Sequence, residues 1–270
     1  MEKIITVEAM RQSDAYTIKN FIDSKDLMFK AGKSVFECGK WNGSTAIVCG
    51  SGNNAGDGYV LARILNEAGF DCKLFLLKNK FSEDGEYYFN QCVERGIKYT
   101  ICDDNTSFKE YTTVVDCVFG TGFKGEVKGI ASDIIDKINN SGAYVISVDI
   151  NSGLNGDTGL AYKAVKSNLT VSIGYYKTGH FLNDANKYIE RLVNANIDIE
   201  LITKPYFLAE KNQIDVNNAK IYSKNCLENS LNPVEAIENL AKRNNQNVLV
   251  NNLGDYSVYS DGNSTYIFRG

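Results

Sequence analysis

The sequence predicts an α/β protein with a doubly wound, mainly parallel sheet and a short C-terminal extension. Apolar runs of strand length alternate with stretches of helical periodicity, as expected of parallel strands that are covered by helices on both faces. Three of these runs end in polar, glycine-rich loops. After about residue 203 the chain becomes asparagine-rich, and both of its prolines lie there. We therefore expect one domain at 1–203 and an extension at 204–270.

The spacing of apolar residues predicts the elements of the domain. Stripes of helical spacing run through 7–38, and a second helical face extends from Val60 to Ala68. Short apolar runs such as TAIVCG and AYVISVDI are typical of buried strands. In chain order we predict helix 7–38, strand 45–50, helix 60–69, strand 72–77, helix 82–95, strands 97–102 and 112–120, helix 129–140, and strands 143–150 and 169–174.

The extension has weaker periodicity. VEAIENLAKR at 234–243 predicts a helix, and NVLVNN, YSVYSDG and STYIFRG predict short strands with an Asp-Gly turn. A segment of this length is too short for an independent core of much size.

Composition excludes several classes of protein. With 33 acidic and 29 basic residues the net charge is −4 and the pI about 5.2, which argues against a non-specific nucleic-acid binder. No apolar run approaches the length of a membrane span, and no secretory leader is evident, so we expect a cytoplasmic protein. The seven cysteines form no CxxC pair and are interpreted as reduced packing residues. The single histidine, His180, argues against a Cys/His zinc site.

The first polar loop, CGSGNNAGDG at 49–58, joins a strand to a helix. Its glycines allow backbone amides to approach an anionic group at the helix N-terminus, although a turn without function also fits. Gly50, Gly52 and Ala55 match the GxGxxA dinucleotide fingerprint. The next strand ends in LFLLKNK, without the carboxylate that holds the ribose in dehydrogenases, which disfavours an oxidoreductase. Asp57 is suited to cap the helix or to hold hydroxyls and a cation.

Two further loops follow buried strands. In VVDCVFGTGFKGE, Asp116 lies inside the apolar run, where an unpaired charge is costly, so it needs a cation or hydrogen-bond donors. Lys124 either neutralises phosphate or positions a reacting group, or it is solvated. In VDINSGLNGDTG, Asp149 and Ser152 follow the strand VISV. Loops of this kind at adjacent strand ends predict a ligand crevice at the carboxyl edge of the sheet.

The stretch YYKTGHF contains two residues with open interpretations. His180 is expected to be a loop or packing residue rather than a catalytic one. Lys177 either faces phosphates or is solvated.

Together these segments resemble the YjeF N-terminal domain family, the NAD(P)H-hydrate epimerases. The similar segments are GNNAGDG at 52–58, DCVFGTGFKGE at 116–126, VDINSGLNGDTG at 148–159, SIGYYKTG at 172–179, and the N-terminal MRQSDAYTI and LMFKAG. The resemblance covers about residues 1–200 and implies a three-layer α/β/α Rossmann-like fold.

The resemblance also implies a substrate, namely NADH or NADPH hydrated on the nicotinamide ring (NADHX or NADPHX). The enzyme would interconvert its R and S forms for a separate dehydratase that is specific for S. We also expect a homodimer, and we expect neither nucleic-acid nor membrane binding.

By this resemblance, three loops bind the substrate and one set of oxygen ligands holds potassium. The substrate-binding residues would be Asn53, Asn54, Ala55, Gly56 and Asp57 in the first loop, Gly120, Thr121, Gly122, Phe123, Lys124, Gly125 and Glu126 in the second, and Asp149 in the third. K⁺ would be held by Asn54, Asp116 and Ser152, which are hard oxygen donors.

A mechanism follows from the chemistry of this substrate. Loss of hydroxide from the carbon next to the ring nitrogen gives an iminium, and water then adds to the other face. Asp149 is the candidate acid/base, and Lys124 would orient or tune it. The alternative functions are a non-catalytic nucleotide- or protein-binding module that uses the same crevice, and the disfavoured Rossmann oxidoreductase.

The chain departs from the family pattern at three places. It has Ala55-Gly56-Asp57 where the family usually has GGD, and it has Asn151 where the family has the proline of DIPSG, which is expected to loosen that loop. The extension faintly resembles part of a dehydratase domain but lacks its catalytic GxGD-type loop, so we expect no dehydratase activity.

Overall fold

A computed structural model describes residues 1–227, 230 and 232–269 of the chain. The helices are α1 (Val7–Asn20), α2 (Ser24–Cys38), α3 (Asn53–Glu67), α4 (Glu83–Glu94), α5 (Ile130–Asn139), α6 (Ala185–Tyr188) and α7 (Pro233–Asn244), with 3₁₀ turns at Thr178–His180, Lys211–Gln213 and Lys224–Leu227. The strands are β1 (Glu2–Ile5), β2 (Ser44–Cys49), β3 (Asp71–Leu76), β4 (Lys98–Ile101), β5 (Thr113–Cys117), β6 (Tyr144–Val148), β7 (Leu169–Ile173), β8 (Tyr176–Lys177), β9 (Leu192–Ala195), β10 (Tyr206–Leu208), β11 (Lys220–Tyr222), β12 (Val248–Leu253), β13 (Tyr256–Ser260) and β14 (Thr265–Arg269).

The main sheet is parallel and doubly wound. Its order is β4-β3-β2-β5-β6-β7-β9, and every neighbouring pair is parallel. The chain starts at β2, continues to β3 and β4 on one side, and returns to β5 on the other. The strand order therefore reverses between β2 and β5, which is where ligands bind in open α/β sheets.

Helices cover both faces of this sheet, as the apolar strands predict. Ile47 and Cys49 of β2 pack in a core with α2, α3 and α4, whereas Ala46 and Val48 pack in a second core with Ile134 and other residues of α5. Alternate residues of one strand thus enter different cores, because successive side chains point to opposite faces. The predicted three-layer α/β/α architecture is confirmed.

A second sheet joins the extension to the N-terminus of the chain. Its order is β11-β12-β13-β14-β10-β1-β8, so strands from before and after residue 203 lie in one sheet. Ile4 of β1 shares a core with Ile237 of α7 and Val258 of β13. The extension thus gains the buried apolar surface that its own length does not supply, by packing on β1 and β8.

Strands β8, β9, β10 and β11 and the short helix α6 were not predicted, and two features at the N-terminus also differ from the predicted elements. The helical region predicted at 7–38 is divided into two helices, and Asp23 caps the start of the second, α2, by accepting a hydrogen bond from the N–H of Lys25 at 2.9 Å. Strand β1 has no predicted counterpart. The predicted extension helix and strands correspond to α7 and to β12, β13 and β14, although the last predicted position, 270, lies outside the described residues.

None of the helices within the described ranges is both long and apolar enough to cross a membrane.

Candidate functional site

A cavity of about 1010 Å³ lies at the carboxyl edge of the main sheet, where the strand order reverses. On the sheet side it is lined by the loops that follow β2, β5 and β6, and by the end of β7. One face of α1 lines it from another side, through residues at helical spacing: Val7, Met10, Arg11, Asp14 and Ile18. This volume and position suit a nucleotide-sized ligand.

The cavity wall combines apolar and charged side chains. Leu27 and Met28 of α2 contribute apolar side chains to the wall. The rings of Phe119 and Phe123, which also line it, stack with their centroids 4.7 Å apart. The cationic residues that line it are Arg11, Lys78, Lys124, Lys128 and Lys177, and the acidic ones are Asp14, Asp57, Asp84 and Asp149. A ligand that carries both aromatic rings and anionic groups fits such a wall.

The glycines of the first loop have two different tasks. A side chain at Gly50 would place its Cβ 2.0 Å from the carbonyl oxygen of Val118, so this glycine lets the loops after β2 and β5 touch. At Gly52 a Cβ would meet no atom within 4 Å. Gly52 also begins α3 without a side-chain cap, which leaves the positive end of the helix open toward the cavity.

Asp57 does not cap α3, contrary to one option that the sequence left open. It lies in the second turn of the helix, half-buried, and lines the cavity. Burial raises its pKa well above the usual range, and the neighbouring carboxylates Asp149 and Asp14 add to this effect.

Beneath the cavity, polar groups from all three loops converge on Phe119. The carbonyl oxygen of Phe119 accepts a hydrogen bond from Asn54 Nδ2 at 3.0 Å, and the N–H of Phe119 donates to the Ser152 hydroxyl oxygen at 2.8 Å. The Oδ1 atom of Asn54 is buried, and none of the described residues gives it a hydrogen-bond partner. A buried amide oxygen of this kind is costly unless something binds it.

Asp116 lies next to this cluster and is fully buried. Its carboxylate accepts hydrogen bonds from the hydroxyls of Ser147 and Ser152 and from the N–H groups of Val118 and Ser152. Burial raises its pKa, against the effect of these donors. These donors account for the burial of the Asp116 carboxylate without a cation. The buried polar atom in this region that has no partner among the described residues is Asn54 Oδ1.

Asp149 is held in an unusual backbone conformation at the cavity wall. Its φ of 66° lies in the left-handed region, which is uncommon for a residue other than glycine. Its carboxylate forms an ion pair with Lys177 and accepts a hydrogen bond from the N–H of Ile173 at 3.3 Å. Strained residues that are fixed by their surroundings are typical of functional sites.

Lys177 is fully buried, and its main contact is the ion pair with Asp149. A solvated lysine or one that faces phosphates was expected from the sequence, and this pair was not anticipated. Besides Asp149, the Lys177 ammonium donates to the carbonyl oxygen of Ile173 at 2.7 Å. It is supplied by β8, a strand of the second sheet, whereas Asp149 follows β6 of the main sheet. The pair therefore joins the two sheets at the cavity.

His180 is a packing residue, as the sequence analysis expected. The N–H of Lys177 donates to His180 Nδ1 at 3.1 Å, so Nε2 carries the ring proton and donates to the carbonyl oxygen of Asp149 at 2.9 Å. Burial lowers the pKa of His180 to about 3, and the Lys177 ammonium also lowers it, which keeps the ring neutral. His180 thereby helps to fix the backbone of Asp149.

The predicted substrate-binding residues divide into two groups. Those that line the cavity are Asn53, Asn54, Asp57, Gly120, Thr121, Gly122, Phe123, Lys124 and Asp149. Ala55 instead packs in the core, and Gly56 lies against Met28. Gly125 and Glu126 are exposed beyond the cavity rim, where Glu126 pairs with Lys128 at 3.3 Å.

Lys124 is exposed and lines the cavity, but the ammonium in contact with Asp149 is that of Lys177. Lys177 is therefore better placed than Lys124 to orient or tune Asp149. The sequence contained no signal for this, because a lysine distant in the chain is buried only by the folding of β8 against the sheet edge.

Asn151 does not loosen its loop, contrary to the expectation from the missing proline. Its side-chain amide is buried, and the two hydrogens of Nδ2 are shared among Ser167 Oγ at 2.9 Å and the carbonyl oxygens of Val165 and Tyr188 at 2.9 and 3.0 Å. Its Oδ1 accepts from the Thr170 hydroxyl at 2.6 Å. Side-chain hydrogen bonds thus fix the loop that carries Asp149 and Ser152.

Asp14 is a cavity residue that the sequence analysis did not single out. It lies on α1, half-buried. Burial raises its pKa to about 6; the Lys177 ammonium opposes this, and the Asp149 carboxylate adds to it. Only the packing of α1 across the sheet edge brings it into the site.

These features define the class: a doubly wound α/β protein with a nucleotide-binding type of cavity at the reversal of strand order. Residues 24–179 match the model of the family described as YjeF-related protein N-terminus. The chain belongs to this family.

Relatives agree with this assignment, and a solved structure shares the fold. The chain is 35% identical over 204 residues to an NAD(P)H-hydrate epimerase of Limosilactobacillus reuteri (strain DSM 20016), a match that covers 72% of this chain and 95% of that one. It is 36% identical over 208 residues to an NAD(P)H-hydrate epimerase of Lentilactobacillus buchneri, covering 74% and 96%. The crystal structure of the yeast protein YNL200c superposes with a TM-score of 0.61 at 20% identity, covering 71% and 87%, and so shows the same fold.

A longer relative carries a related name. The bifunctional NAD(P)H-hydrate repair enzyme of Thermofilum pendens is 34% identical over 182 residues, which are 64% of this chain and 34% of that protein.

Proposed function

We propose that this chain is an NAD(P)H-hydrate epimerase, an isomerase that interconverts the R and S forms of hydrated NADH and NADPH. The observation that carries the proposal is the Asp149–Lys177 pair at the wall of the cavity. The names of the relatives that match over nearly their full length support the same activity.

In this mechanism Asp149 transfers the proton. As an acid it protonates the hydroxyl on the carbon next to the ring nitrogen; the carbon–oxygen bond breaks, water leaves, and the nitrogen lone pair forms the iminium. As a base, when the opposite epimer reacts, it takes a proton from the water that adds to the iminium on its own side of the ring. Lys177 holds the carboxylate in place, and Lys124 is proposed to contact the substrate from the rim.

A coupled assay tests the activity. The purified chain is added to a mixture of R and S hydrates together with an excess of an S-specific dehydratase. We expect the whole mixture to be converted to NADH. With the dehydratase alone, the S form is consumed first, and the rate is then limited by spontaneous epimerisation of the R form. If the R share persists at the spontaneous rate although the nucleotide binds, the chain is a non-catalytic nucleotide-binding module.

A potassium ion is proposed as the cofactor. Asn54 Oδ1 and the Ser152 hydroxyl, with the Phe119 carbonyl oxygen between their side chains, are oxygen atoms of the kind that bind such cations. Asp116 would contribute negative charge from below through its contact with Ser152. When bound, the ion would fix the loops after β2, β5 and β6 relative to one another.

We expect potassium to raise the melting temperature of the chain relative to choline at equal ionic strength, because a ligand that binds only the folded state stabilises it. Asn54→Ala should remove this potassium-dependent shift, and Asn53→Ala, a change at the exposed neighbour, should keep it. Thermal denaturation in both salts measures the effect. Equal shifts for Asn54→Ala and the unchanged chain would contradict the proposed ligand set.

The setting of the activity is also a proposal. We propose a cytoplasmic homodimer that supplies the S form to a separate dehydratase. The names of bifunctional relatives support the link to a dehydratase, and the six cysteines whose side chains are described, all free thiols, are compatible with a reducing compartment. Sedimentation analysis of the purified protein tests the dimer.

A further inference from the structure

We propose that Asp14 is a second catalytic acid/base group, which serves the face of the nicotinamide ring opposite to the face served by Asp149. This inference rests on the proposed epimerase function and deepens it.

The chemistry of the reaction creates a need for two groups. The epimers differ only in the ring face that carries the hydroxyl. Hydroxide must therefore be protonated as it leaves one face, and water must be deprotonated as it adds to the other. A proton-transfer group has to lie within about 2.6–3.2 Å of the oxygen that it serves. One carboxyl on a fixed wall reaches one face of a bound ring.

The cavity is lined by carboxyls from two different elements. Asp149 belongs to the sheet edge, on the loop after β6, and its position is fixed by Lys177 and His180. Asp14 belongs to the face of α1 that lines the cavity from another side. A planar ring bound between α1 and the sheet edge would present one face to each residue.

The Asp14 carboxyl is also free to react. Among the described residues, no hydrogen bond or ion pair engages it, whereas Glu8 on the same helix is bound by Arg11 at 2.6 Å and does not line the cavity. Burial places the pKa of Asp14 at about 6, close to neutral pH, where a carboxyl can exchange its proton readily.

The two carboxyls then share one proton between them. When Asp14 is protonated and Asp149 is ionised, Asp14 gives its proton to the hydroxide that leaves on the α1 side. Water attacks the iminium carbon from the sheet side, the carbon–nitrogen π electrons return to nitrogen, and Asp149 takes the proton from the water. The enzyme ends with Asp149 protonated and Asp14 ionised, which is the form that converts the opposite epimer.

Oxygen exchange separates the two faces experimentally. Each purified epimer of NADHX is incubated in H₂¹⁸O with the wild-type chain, Asp14→Asn or Asp149→Asn, and both label uptake and epimerisation are followed. The wild-type chain should exchange and interconvert both epimers. In Asp14→Asn we expect epimerisation to fall by about 10²- to 10⁴-fold. One epimer should still exchange its hydroxyl with retention, and Asp149→Asn should show this for the other epimer.

Two further variants serve as controls. Glu8→Gln changes an exposed carboxyl of the same helix that does not line the cavity, and it should behave as wild type. Asp14→Glu, which keeps a carboxyl, should exchange both epimers.

Asp14→Asn with wild-type epimerisation would overturn the inference, and so would a loss of exchange that is equal for both epimers in a folded, substrate-binding variant. A wild-type chain that neither exchanges nor interconverts would overturn the proposed function itself, a result distinct from either of these.

Discussion

Asp149→Asn is expected to lower the epimerisation rate by about 10²- to 10⁴-fold, the usual contribution of a general acid/base group. Asparagine tolerates the left-handed conformation that Asp149 adopts, so the loop should keep its shape. Its Oδ1 can still accept a hydrogen bond from Lys177. Losing the carboxylate charge leaves the buried Lys177 ammonium without its counter-charge, which should cost about 3–5 kcal/mol of unfolding free energy.

The coupled dehydratase assay and urea denaturation measure the two effects. Asp104→Asn, a change at an exposed side chain outside the cavity, is the matched control and should retain full activity and stability. Near-normal turnover by Asp149→Asn would remove this residue from the mechanism.

Lys177→Met is expected to lower both stability and activity. Methionine fills a similar space but leaves the Asp149 carboxylate, whose side chain is only 16% exposed, without its cation. Breaking a buried ion pair by removing one partner costs about 3–5 kcal/mol, because the remaining charge is uncompensated. We expect the lower end of this range, since Asp149 faces the cavity.

A double variant isolates the interaction. If the pair is the cause, Lys177→Met combined with Asp149→Asn should be more stable than Lys177→Met alone, because no unpaired charge remains. Lys187→Met is the control: Lys187 pairs with Asp184 at 2.6 Å but is 67% exposed, and its loss should leave the stability close to that of the unchanged chain. Equal losses for Lys177→Met and Lys187→Met would contradict the role assigned to burial.

Much of the main sheet could be predicted because its central strands β2, β5, β6 and β7 are mostly apolar and buried. In strand β2, for example, Ile47 packs in one core and Val48 in the other. Consecutive apolar residues of this kind are expected in a strand that is covered on both faces. The polar loops could be placed at one edge for a similar reason, since parallel strands all end on the same side. The second sheet was harder to predict, because β1 and β10 are short and find their partners far away in the chain.

The site was predicted unevenly. Residues within contiguous motifs, such as Asn54, Asp116, Asp149 and Ser152, were identified because glycines and polar residues interrupt apolar runs there. Ala55 and Gly56 belong to the same motif but face the core, because a helix turns successive residues to different sides.

By itself, the sequence determined the layered α/β fold, the family and the three loops at the carboxyl edge of the sheet, since these depend on local periodicity and contiguous motifs. Only the tertiary structure decided which charges meet in the cavity. Lys177 comes from β8 of the second sheet, and Asp14 comes from α1, which follows β1 of that sheet. Their approach to Asp149 depends on how the two sheets pack, and burial there converts an ordinary lysine and an ordinary aspartate into groups with a defined partner or a raised pKa.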